Sequence, residues 1–179
     1  MSKSLIYCGI GSRETPQAVL EVMFNIAMDL APNWLLRSGH ADGADQAFER
    51  GCIQGNGQME IYIPWNGFNS APNNHPQYIR RKATQELADF SAQFHPAWNK
   101  CSDAAKLMHM RNACQILGQD GQTPADLIIC WTKDGKRGGG TGQALRIAEH
   151  YNIPIFDLAL ADDHLIQHLC AYMEKLEGK

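Results

Sequence analysis

Residues 9–13 are the first of three segments whose residue types could hold a negatively charged ligand. Gly11 lets a ligand approach the backbone closely, Ser12 offers a hydroxyl, and Arg13 can form two parallel hydrogen bonds with a phosphate or carboxylate. The segment has two glycines of a dinucleotide-binding fingerprint, but Glu14 stands where the third glycine would be. Taken alone, the segment is equally typical of a tight turn.

Residues 38–45 are the second segment, and they lead directly into a predicted helix. Its candidate ligand-binding residues are Ser38, Gly39, Asp42 and Gly43. Free N–H groups at the start of a helix favour an anion there. Asp45, in the first turn, could instead satisfy these N–H groups as a cap, and the sequence leaves both alternatives open.

Residues 136–143 are the third segment, with four glycines in five positions between a predicted strand and a predicted helix. Successive N–H groups can face one oxyanion only where no Cβ intrudes, so the segment predicts a phosphate cradle. The candidate ligand-binding residues are Gly139, Gly140, Thr141, Gly142 and Gln143. The Gly-Lys-Ser/Thr of a P-loop is missing, which disfavours hydrolysis of nucleoside triphosphates by that route. A flexible loop is the alternative.

Short apolar runs alternate along the chain with longer segments of helical periodicity, a pattern typical of a parallel sheet wrapped by helices. The predicted strands are residues 5–8, 34–37, 59–63, 126–131 and 154–157. The predicted helices are one opened by Pro16 and capped by Thr15, then residues 44–53, 77–90, 102–117 and 162–176. We therefore predict the α/β class, with one Rossmann-like domain over residues 1–179. Its mainly parallel sheet has about five or more strands, with helices on both faces. Ligands of such a sheet bind beyond the carboxyl ends of the strands, where the three segments lie.

Residues 64–76 are too rich in Pro, Asn and Gly for regular structure and are long for a connection. Such a loop is usually functional or mobile. Trp65 and Phe68 could stack on a base there, or could simply pin their own loop. A lid that reaches the ligand could be formed by His75, Arg80 and Arg81.

The overall composition is that of an ordinary globular domain, with 179 residues, 44% of them hydrophobic and 20% charged. A net charge of −3 supplies no overall cationic field, so nucleic acid is expected to be an unlikely partner. The chain lacks an apolar run of the ~20 residues that span a bilayer, which predicts a cytoplasmic protein without membrane contact. The six cysteines lack the close spacing of a zinc or redox motif, so we predict reduced thiols, no metal and no cofactor.

In their order and spacing, the three segments resemble the SLOG superfamily of Rossmann-like proteins. This superfamily includes the DprA/Smf DNA-processing proteins, the YpsA-like proteins and the LOG phosphoribohydrolases. The resemblance extends from about residue 5 to residue 157. It implies a nucleotide or nucleotide-derived ligand, and a homodimer or higher homo-oligomer formed through helices beside the sheet.

Residues 108–112 resemble the Met-His-x-Arg-Lys stretch of the LOG enzymes. This likeness implies that Arg111 helps to hold the nucleotide, with Asn112 in place of the lysine. The glycines of the family's second motif are matched by Gly139, Gly140 and Gly142. In the same motif, Gly138 replaces the family's Pro and Gln143 replaces its Thr. Arg146 replaces the Glu that assists cleavage in the family. A guanidinium cannot act as a base at neutral pH, so the family's own residues would not support cleavage here.

Three functions are therefore compatible with the sequence. The first is hydrolysis of an N-glycosidic bond, with Arg111 on the ligand and Asp45 or Glu14 replacing the missing carboxylate. The second is a non-catalytic sensor or sequestering protein for a nucleotide ligand, which Arg146 favours. The third, less expected because of the net charge, is DprA-like binding of single-stranded DNA.

Overall fold

The computed structural model describes residues 4–178, and within them six parallel strands form one sheet. The strands are β1 (Leu5–Gly11), β2 (Trp34–Ser38), β3 (Met59–Tyr62), β4 (Tyr78–Ile79), β5 (Leu127–Trp131) and β6 (Ile155–Asp157). Their spatial order is β4-β3-β2-β1-β5-β6, and every neighbouring pair is parallel. The predicted α/β class and Rossmann-like architecture are confirmed.

Helices cover both faces of the sheet. They are α1 (Gln17–Leu30), α2 (Ala44–Gln54), α3 (Gln85–Ala92), α4 (Asp103–Leu117), α5 (Gly139–His150) and α6 (Asp163–Glu177). Successive side chains of a strand point to opposite faces. Tyr7 therefore joins the core under α1, α2 and α6, whereas Cys8 joins the core under α3, α4 and α5. No helix within residues 4–178 is long and apolar enough to cross a membrane.

The helix predicted at residues 77–90 is wrong in its first half. Tyr78 pairs with Ile61 in the sheet, and the helix begins only at Gln85. Thr84 caps this helix, since its side chain accepts a hydrogen bond from the N–H of Leu87. A strand of two residues shows no periodicity that sequence alone could detect.

The predicted cap at Thr15 is also wrong. Pro16 is the residue that precedes α1, and no side chain in the described chain caps that helix. The Thr15 hydroxyl instead donates to the carbonyl of Ser12 at 2.6 Å. The hydroxyl therefore closes the turn after β1 and holds the first segment in place.

The direction in which the chain adds successive strands to the sheet reverses beside β1. The chain builds outward from β1 to β4 and then crosses to β5 on the other side of β1. Connections that leave β1 and β5 therefore run to opposite sides, and a crevice opens between them at the carboxyl ends of these strands.

Candidate functional site

A cleft of about 630 Å³ lies at this crevice. Its walls come from the segment after β1, the segment after β5, the start of α5 and one face of α4. The predicted site residues that line it are Gly11, Ser12, Arg13, Glu14, Asp45, Arg111, Asn112, Gly139, Gly140 and Thr141. The first and third segments are thus brought together, as parallel strands that end side by side require.

The third segment forms the start of α5 and leaves its backbone exposed. Gly139 has a φ of +58°, a conformation that side chains other than glycine rarely adopt. Within residues 4–178 no side chain caps α5, so the N–H groups of its first turn are free for a ligand. Gly142 does not line the cleft, but a Cβ there would overlap the carbonyl of Arg137, so this glycine lets the loop close onto the helix.

The first segment presents one cation without a partner. Ser12 donates its N–H to the carbonyl of Trp131 at 3.2 Å, and its hydroxyl accepts from the N–H of Glu14 at 3.0 Å. Glu14 forms an exposed ion pair with Lys133 across the mouth of the cleft. The Arg13 side chain is exposed and has no hydrogen-bond or ion-pair partner in the part of the chain that is described.

Most of the second segment lies behind the cleft wall, and only Ala41 and Asp45 of it line the cleft. The polar groups of Ser38, Gly39 and Asp42 have partners within the protein. Ser38 donates its hydroxyl to the carbonyl of Gly9 at 2.7 Å and is fully buried. Gly39 gives its carbonyl to Arg111. Asp42 is exposed beside Asn69, whose amide donates to it at 3.4 Å. None of the three lines the cleft.

Gly43 and Asp45 show how the second segment enters α2. Gly43 has a φ of +86° and packs against the backbone of Ser12. No side chain of the described residues caps α2, so the alternative of Asp45 as a cap is wrong. The Asp45 carboxylate turns back instead and accepts from the N–H of Ala41 at 3.3 Å. This segment is therefore held together by its own carboxylate.

Arg111 and Asp45 form a buried ionic pair on the cleft wall, with 3.7 Å between Nη1 and Oδ2. Nη1 of Arg111 also donates to the carbonyls of Gly39 and Tyr62, at the ends of β2 and β3. Burial raises the pKa of Asp45 to about 6, against the lowering effect of the Arg111 charge. Burial likewise lowers the pKa of Arg111. Nε of Arg111 is buried without a partner among residues 4–178.

Asn112 and Gln143 form a second contact between α4 and α5. The Asn112 amide donates to the carbonyl of Gly140 at 3.1 Å and to Oε1 of Gln143 at 3.2 Å. Gln143 is fully buried and does not line the cleft. Arg146, which stands where the LOG enzymes have a Glu, is also outside the cleft lining, and its Nε donates to the carbonyl of Phe94 at 2.7 Å.

Gln115 and Lys136 line the cleft but were missed as site residues. Gln115 is 2% exposed, and its Nε2 has no partner within the described chain. It follows Arg111 by four positions, which is the signal that could have placed both on one helix face. Lys136 is exposed, and its side chain also has no partner in residues 4–178.

The long loop after β3 contributes no lining residue to the cleft. Phe68 is 4% exposed and packs edge-on against Trp65, with 5.2 Å between ring centroids. The interpretation of a loop pinned by its own aromatics is therefore confirmed. His75 packs against Tyr78, and the Arg81 guanidinium approaches Sγ of Cys114 at 3.8 Å. Arg80 is exposed and, like them, does not line the cleft.

No protein-family model and no curated protein matches the chain. A search of solved structures finds a structure described for the unique single-stranded DNA binding mode of DNA processing protein A from Helicobacter pylori. The TM-score is 0.50 and the sequence identity 16%, with 86% of this chain and 65% of that chain covered. This chain thus spans just under two thirds of that protein. At this identity the likeness shows a shared Rossmann-like fold.

The expectation that nucleic acid is an unlikely partner is corrected by this finding. It rested on the net charge of −3, yet a protein of the same fold binds single-stranded DNA. Net charge is a sum over the whole surface, whereas binding responds to the local field within roughly 8–10 Å at ordinary salt. At the cleft, the side chains of Arg13 and Lys136 have no partner among the described residues, so the local charge there can differ in sign from the net charge of the chain.

Proposed function

We propose that the cleft binds the phosphate of a nucleotide unit, and that this unit belongs to a single strand of DNA. One observation carries the proposal. The start of α5 faces a cleft that also contains the side chains of Arg13 and Lys136, and within the described residues neither the helix start has a cap nor these side chains a partner. N–H groups at a helix start and nearby cations together favour a phosphate.

The charges of the cleft support an anionic ligand. Its other ionised groups are largely paired, since Lys133 meets Glu14 and Arg111 meets Asp45. Arg13 and Lys136 remain, against Asp134 as the one carboxylate of the lining without an ion pair among the described residues. The lining therefore carries a net positive charge even though the chain is negative.

The shape of the cleft favours a strand over an enclosed metabolite. It is open to solvent and larger than a phosphate group, so it has room for a phosphodiester that belongs to a longer strand. No aromatic side chain of the described residues lines it, which removes the stacking that contributes ~1–3 kcal/mol per base elsewhere. We therefore expect binding dominated by phosphate contacts, weakly dependent on base sequence and strongly dependent on salt.

Fluorescence anisotropy of a labelled oligothymidylate, measured with the full chain at increasing salt, tests the proposal. Two neutralised phosphates predict a slope of log K against log salt of about −1.4 for a single strand. Arg13→Ala and Lys136→Ala should each reduce the magnitude of this slope by about 0.7. Arg50→Ala and Lys82→Ala are matched controls, since both residues are exposed and outside the cleft lining. Equal slopes in all five proteins would refute the proposal.

Hydrolysis of a free nucleotide is a second candidate, supported by one specific feature. Asp45 is a buried carboxyl on the cleft wall with a pKa of about 6, within the range suited to general acid or base catalysis near neutral pH. Arg111 would then hold the phosphate from the cleft wall, and Glu14 would be the exposed alternative base.

Incubation with nucleoside monophosphates, NAD, ADP-ribose and cyclic nucleotides, followed by chromatography of released base, tests this second candidate. Base release that disappears in Asp45→Asn but persists in Asp42→Asn would support it, because Asp42 lies outside the cleft lining. A ligand retained intact would identify a non-catalytic binding protein instead. Absence of both release and retention would leave the strand-binding proposal as the better account.

A further inference from the structure

Three side chains with metal-binding atoms meet beside α4, outside the lining of the cleft. They are His95, which follows α3, Cys101, which follows a short 3₁₀ helix (Trp98–Lys100), and His109 within α4. One ligand atom from each lies within 4.8 Å of the other two. The sequence predicted no metal because it lacks a short cysteine spacing, whereas here the turn before α4 brings the three residues together.

The distances fit a tetrahedral ion. A zinc ion with Zn–S of about 2.3 Å and Zn–N of about 2.05 Å places sulfur and nitrogen about 3.6 Å apart. Sγ of Cys101 lies 3.7 Å from Nδ1 and 3.8 Å from Nε2 of His95. The rings of His95 and His109 are 4.3 Å apart between centroids. Two imidazoles on one tetrahedral ion have centroids about 5 Å apart, so the two rings would move apart by about 1 Å. Their ligand atoms and the sulfur, which lie within 4.8 Å of one another, would at the same time turn toward the ion.

His109 supplies the second, independent observation. It is 8% exposed, and its Nδ1 is buried without a hydrogen-bond partner among residues 4–178. Buried polar atoms are nearly always paired, so an unpaired ring nitrogen beside a thiol and a second imidazole calls for a ligand. A metal ion would satisfy it through the lone pair.

The remaining contacts show which atoms are available. Nδ1 of His95 accepts the N–H of Ala97 at 3.2 Å, whereas Nε2 of His95 contacts the Cys101 sulfur, itself a candidate ligand. Sγ of Cys101 lies 3.6 Å from the carbonyl of Ala97. Both His95 and Cys101 are half-buried, so an ion can reach them from solvent.

We propose that His95, Cys101 and His109 bind one divalent transition-metal ion of the borderline class, Zn²⁺ above all. Cys101 binds as the thiolate and releases its proton to solvent, and the two imidazoles bind as neutral donors. Water completes the tetrahedron, because the cluster contains no fourth His, Cys, Asp or Glu of the described chain. The ion links the connection between α3 and α4 to α4 itself. His109, its ligand on α4, lies one turn before Asn112 in the cleft wall.

Titration of the chelator-treated full chain with Co²⁺, without DNA or nucleotide, tests the site. We expect one ion per chain, a thiolate-to-cobalt charge-transfer band, and the intense visible bands of tetrahedral Co²⁺, all abolished by excess Zn²⁺. Cys101→Ser should remove the charge-transfer band. Cys101→Ser and His95→Ala should each weaken Zn²⁺ binding by more than the ~10–100-fold that loss of an outer partner costs.

Cys170→Ser and His164→Ala are the matched controls, since both residues are exposed on α6 and outside the cluster. They should leave the spectrum and the zinc affinity unchanged. The proposal is overturned by an octahedral cobalt spectrum without a thiolate band, or by loss of binding in the control variants. Unchanged zinc affinity in both Cys101→Ser and His95→Ala overturns it as well. Circular dichroism of these half-buried variants establishes that folding is intact.

Discussion

The second and third segments have similar compositions, rich in glycine and small polar residues, but they use them in opposite ways. In the second segment Ser38, Gly39, Asp42 and Asp45 all have hydrogen-bond partners within the protein, and Gly39 lets Arg111 approach the backbone. In the third segment Gly138 and Gly139 have open space where a Cβ would stand, as far as the described chain shows. Glycine serves close packing in one segment and an open backbone in the other, so one composition supports both stability and ligand access.

Arg111→Met should have the largest effect of the changes that probe this contrast. The guanidinium joins the ends of β2 and β3, faces the ring of Phe68 and neutralises Asp45, so its removal leaves a buried carboxylate unpaired. We expect a loss of about 3–5 kcal/mol in the free energy of unfolding at pH 8. Urea denaturation measures it, with exposed Arg50→Met as the control. A loss below that of a typical surface substitution would show that the second segment does not depend on this pair.

The ionisation of Asp45 should make the free energy of unfolding depend on pH. Its pKa in the folded protein, about 6, lies above the ordinary 3.8, so ionisation is less favourable when folded. The stability associated with the protonated carboxyl is therefore complete below about pH 4 and lost as the pH rises through 6. The shift corresponds to about 3 kcal/mol.

Urea denaturation of the protein and of Asp45→Asn between pH 4 and pH 8 isolates this effect. Other titrating groups are common to both proteins and cancel in the difference. We expect the unmodified protein to lose stability relative to the variant as the pH rises. Parallel profiles would mean that Asp45 titrates near its ordinary pKa, which would also weaken the case for it as a catalytic acid or base.

Gly39→Ala and Gly138→Ala compare the two segments directly. A Cβ at Gly39 would clash with Nη1 of Arg111 and lie 2.5 Å from Nε2 of Gln115, whereas one at Gly138 would meet no atom of residues 4–178 within 4 Å. We expect Gly39→Ala to destabilise the protein by about 1–3 kcal/mol, as overpacking usually does. Gly138→Ala should stay within about 0.5 kcal/mol. Equal losses in thermal or urea unfolding would remove the distinction between the segments.

The sequence predicts the sheet and the location of the cleft well, because both depend on patterns along the chain. The apolar runs gave five of the six strands, and the first and third segments do meet beyond the ends of β1 and β5. The second segment was expected to face a ligand in the same way. Its partners Gly9 and Arg111 come from β1 and α4, and no local pattern reveals them.

The same limit explains the strand and the cluster that sequence did not reveal. β4 has only two residues, too few for a period, and it exists because Tyr78 and Ile79 pair with β3. His95, Cys101 and His109 are six and eight positions apart, a spacing that becomes compact only through the turn around Trp98–Lys100. The spacing of Gln115 from Arg111 could place both on one face of α4, but the position of that face against the cleft depends on the whole fold.

The double variant Arg13→Ala, Lys136→Ala should have the smallest effect on stability and the clearest effect on binding. Both side chains are exposed, and neither has a partner in the described part of the chain, so the free energy of unfolding should change by no more than about 0.5 kcal/mol. The salt dependence of binding to single-stranded DNA should nevertheless approach zero, since both neutralising charges are gone. Arg111→Met has the opposite profile, a large loss of stability from a residue that holds the scaffold. Retained salt dependence in the stable double variant would move the phosphate site away from the first and third segments.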